Sequence, residues 1–395
     1  MTGSASPLRS AAGLSLAAAV SLGLARFAYA LLLPPMRADL GWSYFTSGAM
    51  NTANAAGYLV GALLAPVWLA RRSARSLLVG GGVFTMLLLG AHGLVVGDAA
   101  LLALRLLSGV ASAVMFVSGG LLAARLASAH AGSAGLVLGV FYGGTGAGVV
   151  ASALVVPAAL ALPRAHAWQA AWVWMAALAL LATVVVVRAT RIAAPVAAPA
   201  AAPGAAGPPA FAWRPFAFAL VAYTLFGVGY IGYMTFIVTL LREQGLGSAV
   251  TIAFYVVLGC GVMASPWIWA GLLQRHRGGL PLAVLSALLA LATLLPVVAT
   301  NAAAAFVSGA VFGCVFLSLV ASTTALVRHN LAPAAWPRGI AAFTIVFALG
   351  QIVGPVLVGW VADGPGGLQR GFVLSAAVLA LGALFAARQR SLGDP

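Results

Sequence analysis

Twelve long apolar stretches, separated by short gaps that hold nearly all of the charge, decide what this chain can fold into. A helix that crosses a bilayer needs roughly 20 mainly apolar residues. Stretches on that scale fall near residues 11–35, 44–69, 76–96, 99–124, 134–162, 168–187, 215–241, 249–273, 280–299, 302–327, 339–361 and 371–387. Inside lipid each backbone N–H and C=O must be satisfied by the protein itself, which makes such stretches helices. The expected fold is therefore an all-α integral membrane protein with twelve transmembrane helices. Composition agrees, since only 6% of residues are charged, against about 25% in a soluble domain. The first stretch, with Arg9 before it and small residues at Ala28 and Ala30, mimics a signal peptide. Its apolar run continues to Leu33, longer than a usual signal core, so it reads as a retained helix.

The basic residues are all arginine and give a net charge of +15. Counting gaps from a cytoplasmic N-terminus sorts them by side. Arg9, Arg71, Arg72, Arg75, Arg125, Arg188, Arg191, Arg214, Arg275, Arg277, Arg328, Arg338, Arg388 and Arg390 fall together, whereas Arg37, Arg164, Arg242 and Arg370 fall opposite. The arginine-rich side is expected to be cytoplasmic, with both termini there. Asp39, Asp98, Glu243 and Asp363 lie on the other side. The charge thus reports topology and contact with the anionic headgroups of a lipid bilayer. On this footprint nucleic acid is not an expected partner.

Two arginines escape this sorting. Arg26 lies inside the first stretch and Arg105 inside the fourth, and no stretch contains Asp or Glu. A lone charge in lipid costs a few kcal/mol or more. Two without acidic partners call for a water-filled, electropositive cavity.

Residues 193–210 read AAPVAAPAAAPGAAGPPA, a composition that neither spans nor folds. This stretch is expected to be a cytoplasmic linker between six-helix bundles at residues 1–192 and 211–395. The halves echo each other. At an offset of 204, Gly23, Tyr29, Asp39, Gly41 and Gly57 meet Gly227, Tyr233, Glu243, Gly245 and Gly261. At 200, Pro66, Ser108, Gly109, Phe116, Ser118 and Gly139 meet identical residues. A four-residue slip within the second helix of each half reconciles the offsets. Parallel six-span repeats predict two pseudo-symmetric bundles with a site between them.

With PPMRADLG ending the first span, RLLSGVASA in the fourth and GQIVGPVLVG in the eleventh, the chain resembles the major facilitator superfamily over essentially its whole length. PPMRADLG at the end of the first span looks like that family's proline-rich helix end. RLLSGVASA from Arg105 to Ala113 resembles its RxxxGxxxA element, and GQIVGPVLVG from Gly350 to Gly359 its Gly-Pro element. GLARFAYALLLPPM looks like a bacterial branch, the YbfB/YjiJ-like transporters. The resemblance implies alternating access in a bacterial inner membrane. Two departures stand out. In WLARRSARS, Ala70 stands about where the family has Asp, and GGTGAG from Gly143 lacks the antiporter proline. The direction of transport stays open.

Arg26 is the leading site candidate, because a guanidinium presents a fork of donors to a carboxylate or phosphate. Tyr29 at i+3 is expected on its face, and in the resembling family this helix lines the central cavity. The repeat sets Tyr230 at the Arg26 position, with Tyr233 three residues on. The expected site is Arg26 and Tyr29 facing Tyr230 and Tyr233. Asn51 and Asn54 share a helix face and suit interhelical bonding as well as substrate contact. Gln351, preceding Gly354 and Pro355, has the same two readings, and Gly350, Gly354 and Pro355 suit a hinge. Arg105, seven residues beyond Asp98, is expected to lie towards the outer surface, as a snorkelling side chain or a coupling residue. A histidine ordinarily titrates near neutral pH, so His92 suits either coupling or packing. With no intramembrane carboxylate, ion coupling would run through Asp39 or His92, or transport would be exchange or uniport.

The sequence therefore reads as a secondary or facilitative transporter of a small solute, expected to be a monomer and an organic anion carrier. An exporter of hydrophobic drugs or metabolites is the alternative, and a channel suits paired halves less well. HExxH, paired intramembrane acids and a G-x-x-x-x-G-K-[ST] loop are all missing, so neither an enzyme nor an ATP-driven pump is expected. No cofactor or metal is called for. Cys260 and Cys314 read as packing residues.

Overall fold

The computed structural model describes residues 7–192 and 211–392. The expected linker, 193–210, lies outside the described residues. Twelve helices are long and apolar enough to cross a membrane, and among the described residues there is no strand. We number them α1 (Pro7–Leu40), α2 (Tyr44–Leu69), α3 (Ala74–His92), α4 (Asp98–Ala129), α5 (Ala134–Leu160) and α6 (Ala167–Ile192). The second set is α7 (Ala217–Glu243), α8 (Ser248–Arg275), α9 (Leu280–Val298), α10 (Ala302–Asn330), α11 (Trp336–Ala362) and α12 (Gly367–Ala387). Several outrun their apolar stretches. The reason is that hydropathy marks where lipid ends, while a helix ends where a cap stops it.

The repeat is visible in those caps. Gly41 closes α1 with φ +66° and Gly245 follows α7 with φ +80°. Only glycine takes this left-handed turn without a Cβ penalty. In each case the next amide reaches back five residues, Trp42 N to Arg37 O at 3.1 Å and Leu246 N to Leu241 O at 3.0 Å.

Packing repeats as well. α1 packs on α5 and α6, α2 on α4, and α3 on α4 and α6. Adding six to each number gives α7 on α11 and α12, α8 on α10, and α9 on α10 and α12. The halves meet along α2–α11 and α5–α8. The protein is thus two pseudo-symmetric six-helix bundles. One end carries the arginine-rich gaps, the other the acids.

At the acidic end every carboxylate of the described residues is engaged. Asp39 accepts from His166 Nδ1 and Trp168 Nε1, and Asp98 from Trp42 Nε1 at 2.7 Å. The other two bridge the halves. Glu243 accepts from the Tyr44 hydroxyl and lies 4.0 Å from Arg37, whose guanidinium sits 3.8 Å from the Tyr44 ring centre. Asp363, at the end of α11, accepts from the first two amides of α2, Tyr44 N at 2.7 Å and Phe45 N at 2.9 Å. A carboxylate there meets unsatisfied N–H groups and the positive end of a helix dipole. Deeper bridges continue the seam, Thr52 Oγ1 to Ile352 O at 2.7 Å and Asn51 Nδ2 to Thr235 Oγ1 at 2.6 Å.

Candidate substrate site

The site begins with an irregularity in α1. Between α-helical Pro7–Ala18 and Tyr29–Leu40, residues Ala19–Phe27 form a π-helix, closed by Ala28 N to Gly23 O at 2.9 Å. Wide turns of this kind are rare and gather at functional sites. Two carbonyls of the segment accept from other helices. Ala25 O takes Arg105 Nη1 at 3.0 Å from α4, and Phe27 O takes the Tyr255 hydroxyl at 2.6 Å from α8, in the other half. Glycines of α5 leave room for the segment, since a Cβ at Gly148 or Gly144 would run into the backbone of Ala19 or Ser15.

The π-segment ends on Arg26, which is 3% exposed. Its Nη2 donates to Gln351 Oε1 on α11, and its Nε has no partner among the described residues. The guanidinium carbon lies 5.2 Å from the centre of the Tyr58 ring and 6.0 Å from that of Phe27. Tyr58 and Tyr230 are linked electrostatically with this group, and Tyr142 with Tyr58. Tyr142 keeps 42% of its surface exposed. Among the described residues Arg26 thus has one neutral partner and no carboxylate.

Arg105 is built differently. It is 1% exposed, with Nε 3.3 Å from Met50 O, Nη1 3.0 Å from Ala25 O and Nη2 3.0 Å from Asn51 Oδ1. The Tyr29 ring lies 4.5 Å from the guanidinium carbon and that of Trp172 6.0 Å. Carbonyl dipoles and ring faces here replace water around the charge. The expected outward-reaching Arg105 is therefore corrected: it turns inward because three acceptors on α1 and α2 offer better solvation than a distant surface. Asn51 then links Arg105 to Thr235, joining α4, α2 and α7.

The structure pairs Arg26 with Gln351 and sets Tyr230 within its electrostatic reach, the latter as the repeat suggested, and separates the rest. Tyr29 does not share the Arg26 face; its hydroxyl donates to Ser47 O at 3.0 Å and its ring covers Arg105. The π-helix ends between residues 26 and 29 and shifts the phase that an α-helical i+3 spacing assumes. Tyr233 also stands apart, bonded to Ser308 Oγ at 2.7 Å and stacked 3.9 Å from Phe312. Asn54 Nδ2 donates to Arg105 O at 3.1 Å, a bond within the first half. Gly350 and Gly354 face backbone of α7, and the Pro355 carbonyl abuts Gly48 of α2, so this element is wedged between both helices. His92 is buried and stacked 4.3 Å from Trp172, away from Arg26, and Asp39 sits at the acidic end. Tyr58, Tyr142, Tyr255, Thr235 and Trp172 escaped the sequence reading. Only Tyr58 carried a signal, being one turn from Asn54. The two cysteines are unpaired, and among the described residues no cluster suits a metal ion.

Comparison with known proteins now has a geometry to meet. Residues 18–387 match the family described as "Uncharacterised MFS-type transporter YbfB". The chain belongs to this family. It is a multi-pass membrane protein of a transporter family. No curated protein matches it. Among solved structures, a bacterial homolog of the human lysosomal transporter Spinster, inward-facing and unoccupied, is similar with a TM-score of 0.72 at 15% identity over 97% of each chain. The same homolog in its inward-facing, occupied conformation gives 0.73 at 14% over 98% of each. The nucleoside transporter NupG gives 0.66 at 14%, over 97% of this chain and 99% of that one. These likenesses show the fold of an MFS transporter, and both expectations of fold and family are borne out.

Proposed function

We propose that this MFS-type protein carries a small organic anion by alternating access, with Arg26 as the counter-charge. One observation carries the reading: a buried guanidinium whose only polar partner among the described residues is the neutral Gln351, with Nε unpaired among them. A buried cation without a carboxylate is costly, and an anion would offset that cost while bound. Arg105 lies within electrostatic reach and adds positive potential with its own donors occupied. The Gln351 amide holds the Arg26 fork when no anion is there, from the opposite half. Exchange of Gln351 for substrate would therefore couple binding to the relation between the halves.

The arginine excess supports placing the termini in the cytoplasm of a bacterial inner membrane. The acidic end would then face outward. Its ties between the halves suit a state closed to the outside. Residues 1–192 and 211–395 would rock as two bodies about Arg26, with 193–210 as their linker. Of the binding candidates, Arg26, Tyr230 and Gln351 would meet substrate. Arg105, Asn54, Tyr29 and Tyr233 would brace their helices, and Gly350, Gly354 and Pro355 would form the α11 seam across which the halves move.

Uptake of organic anions into proteoliposomes tests this. Arg26→Ala is expected to abolish uptake and Arg26→Lys to weaken it about tenfold or more, because lysine keeps the charge and loses the fork. Full anion transport by both variants, or export of neutral drugs unaffected by either, would sink the proposal.

A further inference from the structure

The surroundings of Arg26 describe the rest of the ligand. On α7, Tyr230 belongs to a group of near-parallel rings. Its ring lies 4.7 Å from Phe226 at 25°, 5.5 Å from Phe347 at 18° and 6.1 Å from Phe316 at 13°. Phe226 and Phe347 lie 5.2 Å apart at 8°. The guanidinium carbon of Arg26 lies 5.2 Å from the Tyr58 ring centre and 6.0 Å from that of Phe27, which meets Phe316 edge-on at 5.6 Å. The hydroxyls of Tyr58, Tyr142 and Tyr230 bond to no other described residue. Arg26 thus lies beside the rings of Tyr58 and Phe27, Phe27 joins them to the aromatic group of the second half, and three phenols are free to donate or accept.

Ring faces prefer flat π-systems in offset stacks over aliphatic bodies of equal size. A fixed cation beside them selects an anionic head, and free phenols accommodate polar ring substituents. We infer that the ligand is a planar aromatic carboxylate, its carboxylate on Arg26 in place of the Gln351 amide and its ring against Tyr230 and Phe347. This rests on the anion reading above and narrows it to one chemical class. The rings of Tyr230, Phe347 and Phe316 come from α7, α11 and α10, and those of Tyr58 and Phe27 from α2 and α1. A flat ligand would therefore touch both halves at once.

The test titrates purified full-length protein in nanodiscs with 2-naphthoate, its saturated analogue decahydronaphthalene-2-carboxylate, and neutral 2-naphthamide. Naphthoate is expected to bind about five- to tenfold more tightly than the saturated acid, the scale of one good aromatic pair. Naphthamide is expected to bind more weakly than naphthoate by about tenfold or more. Tyr230→Leu should reduce naphthoate to the level of the saturated acid, and Phe347→Leu carries the same expectation if Tyr230→Leu does not fold. Arg26→Gln should erase the preference for acid over amide. Equal affinity for both carboxylates, with Arg26→Gln weakening both, overturns the aromatic inference and leaves the anion reading standing. An amide that binds as well as the acid, indifferent to Arg26→Gln, removes both. Absence of binding by either carboxylate also overturns the inference.

Discussion

Two buried arginines in one membrane protein invite one explanation, and their partners require two. Arg105 has its donors matched to two backbone carbonyls and Asn51. Removing it leaves those acceptors buried and unpaired, at about 1–3 kcal/mol each. Arg26 has one side-chain partner and an idle Nε. Removing it relieves a buried charge. Arg105→Met is therefore expected to lower stability by about 3 kcal/mol or more, while Arg26→Met stays within about 1 kcal/mol of the parent and loses transport. Thermal unfolding in detergent, paired with uptake, distinguishes these outcomes; a larger loss for Arg26→Met would reverse the assignment. Sequence already ranked Arg26 above Arg105 but placed Arg105 towards the outer surface, because burial of a charge is legible in hydropathy and the identity of its acceptors is not.

At the scale of elements, the π-segment of α1 is the least legible feature and the most consequential. Nothing in AVSLGLARF distinguishes it from an α-helical stretch, and the i+3 pairing of Arg26 with Tyr29 was lost to it. It is held from both halves, by Arg105 on Ala25 O and by Tyr255 on Phe27 O. Tyr255→Phe removes one hydroxyl and little else. It is expected to cost about 1 kcal/mol and to speed hydrogen exchange across residues 19–28, read by mass spectrometry. Unchanged protection there would mean that the segment needs no support from α8. By contrast the caps at Gly41 and Gly245 were foreshadowed, since an acid followed two residues later by glycine recurs at an offset of 204.

For the whole molecule, the ties at the acidic end set the balance between its states. Asp363 reaches across the halves to the first amides of α2, with a helix dipole in its favour. Asp363→Asn keeps the shape and loses the charge. The closed acidic end should lose about 1–2 kcal/mol, so the population open at that end rises roughly five- to thirtyfold. A cysteine placed by Ser47→Cys, behind the seal in a background with Cys260→Ser and Cys314→Ser, would then react faster with an impermeant maleimide added at the acidic end. A rate no faster than the parent would show that Asp363 does not hold the seal.

The sequence by itself determined the helices, their number, the bundle repeat and the presence of unmatched positive charge, because lipid imposes length and polarity residue by residue along the chain. It also aligned Arg26 with Tyr230, because the repeat maps one half onto the other. Only the tertiary structure decided which arginine is spoken for, which tyrosines border the free one, and that the carboxylates secure one end. Those outcomes depend on hydrogen-bond partners brought together from helices hundreds of residues apart and on a local change of helix type, and neither leaves a periodic trace in the sequence.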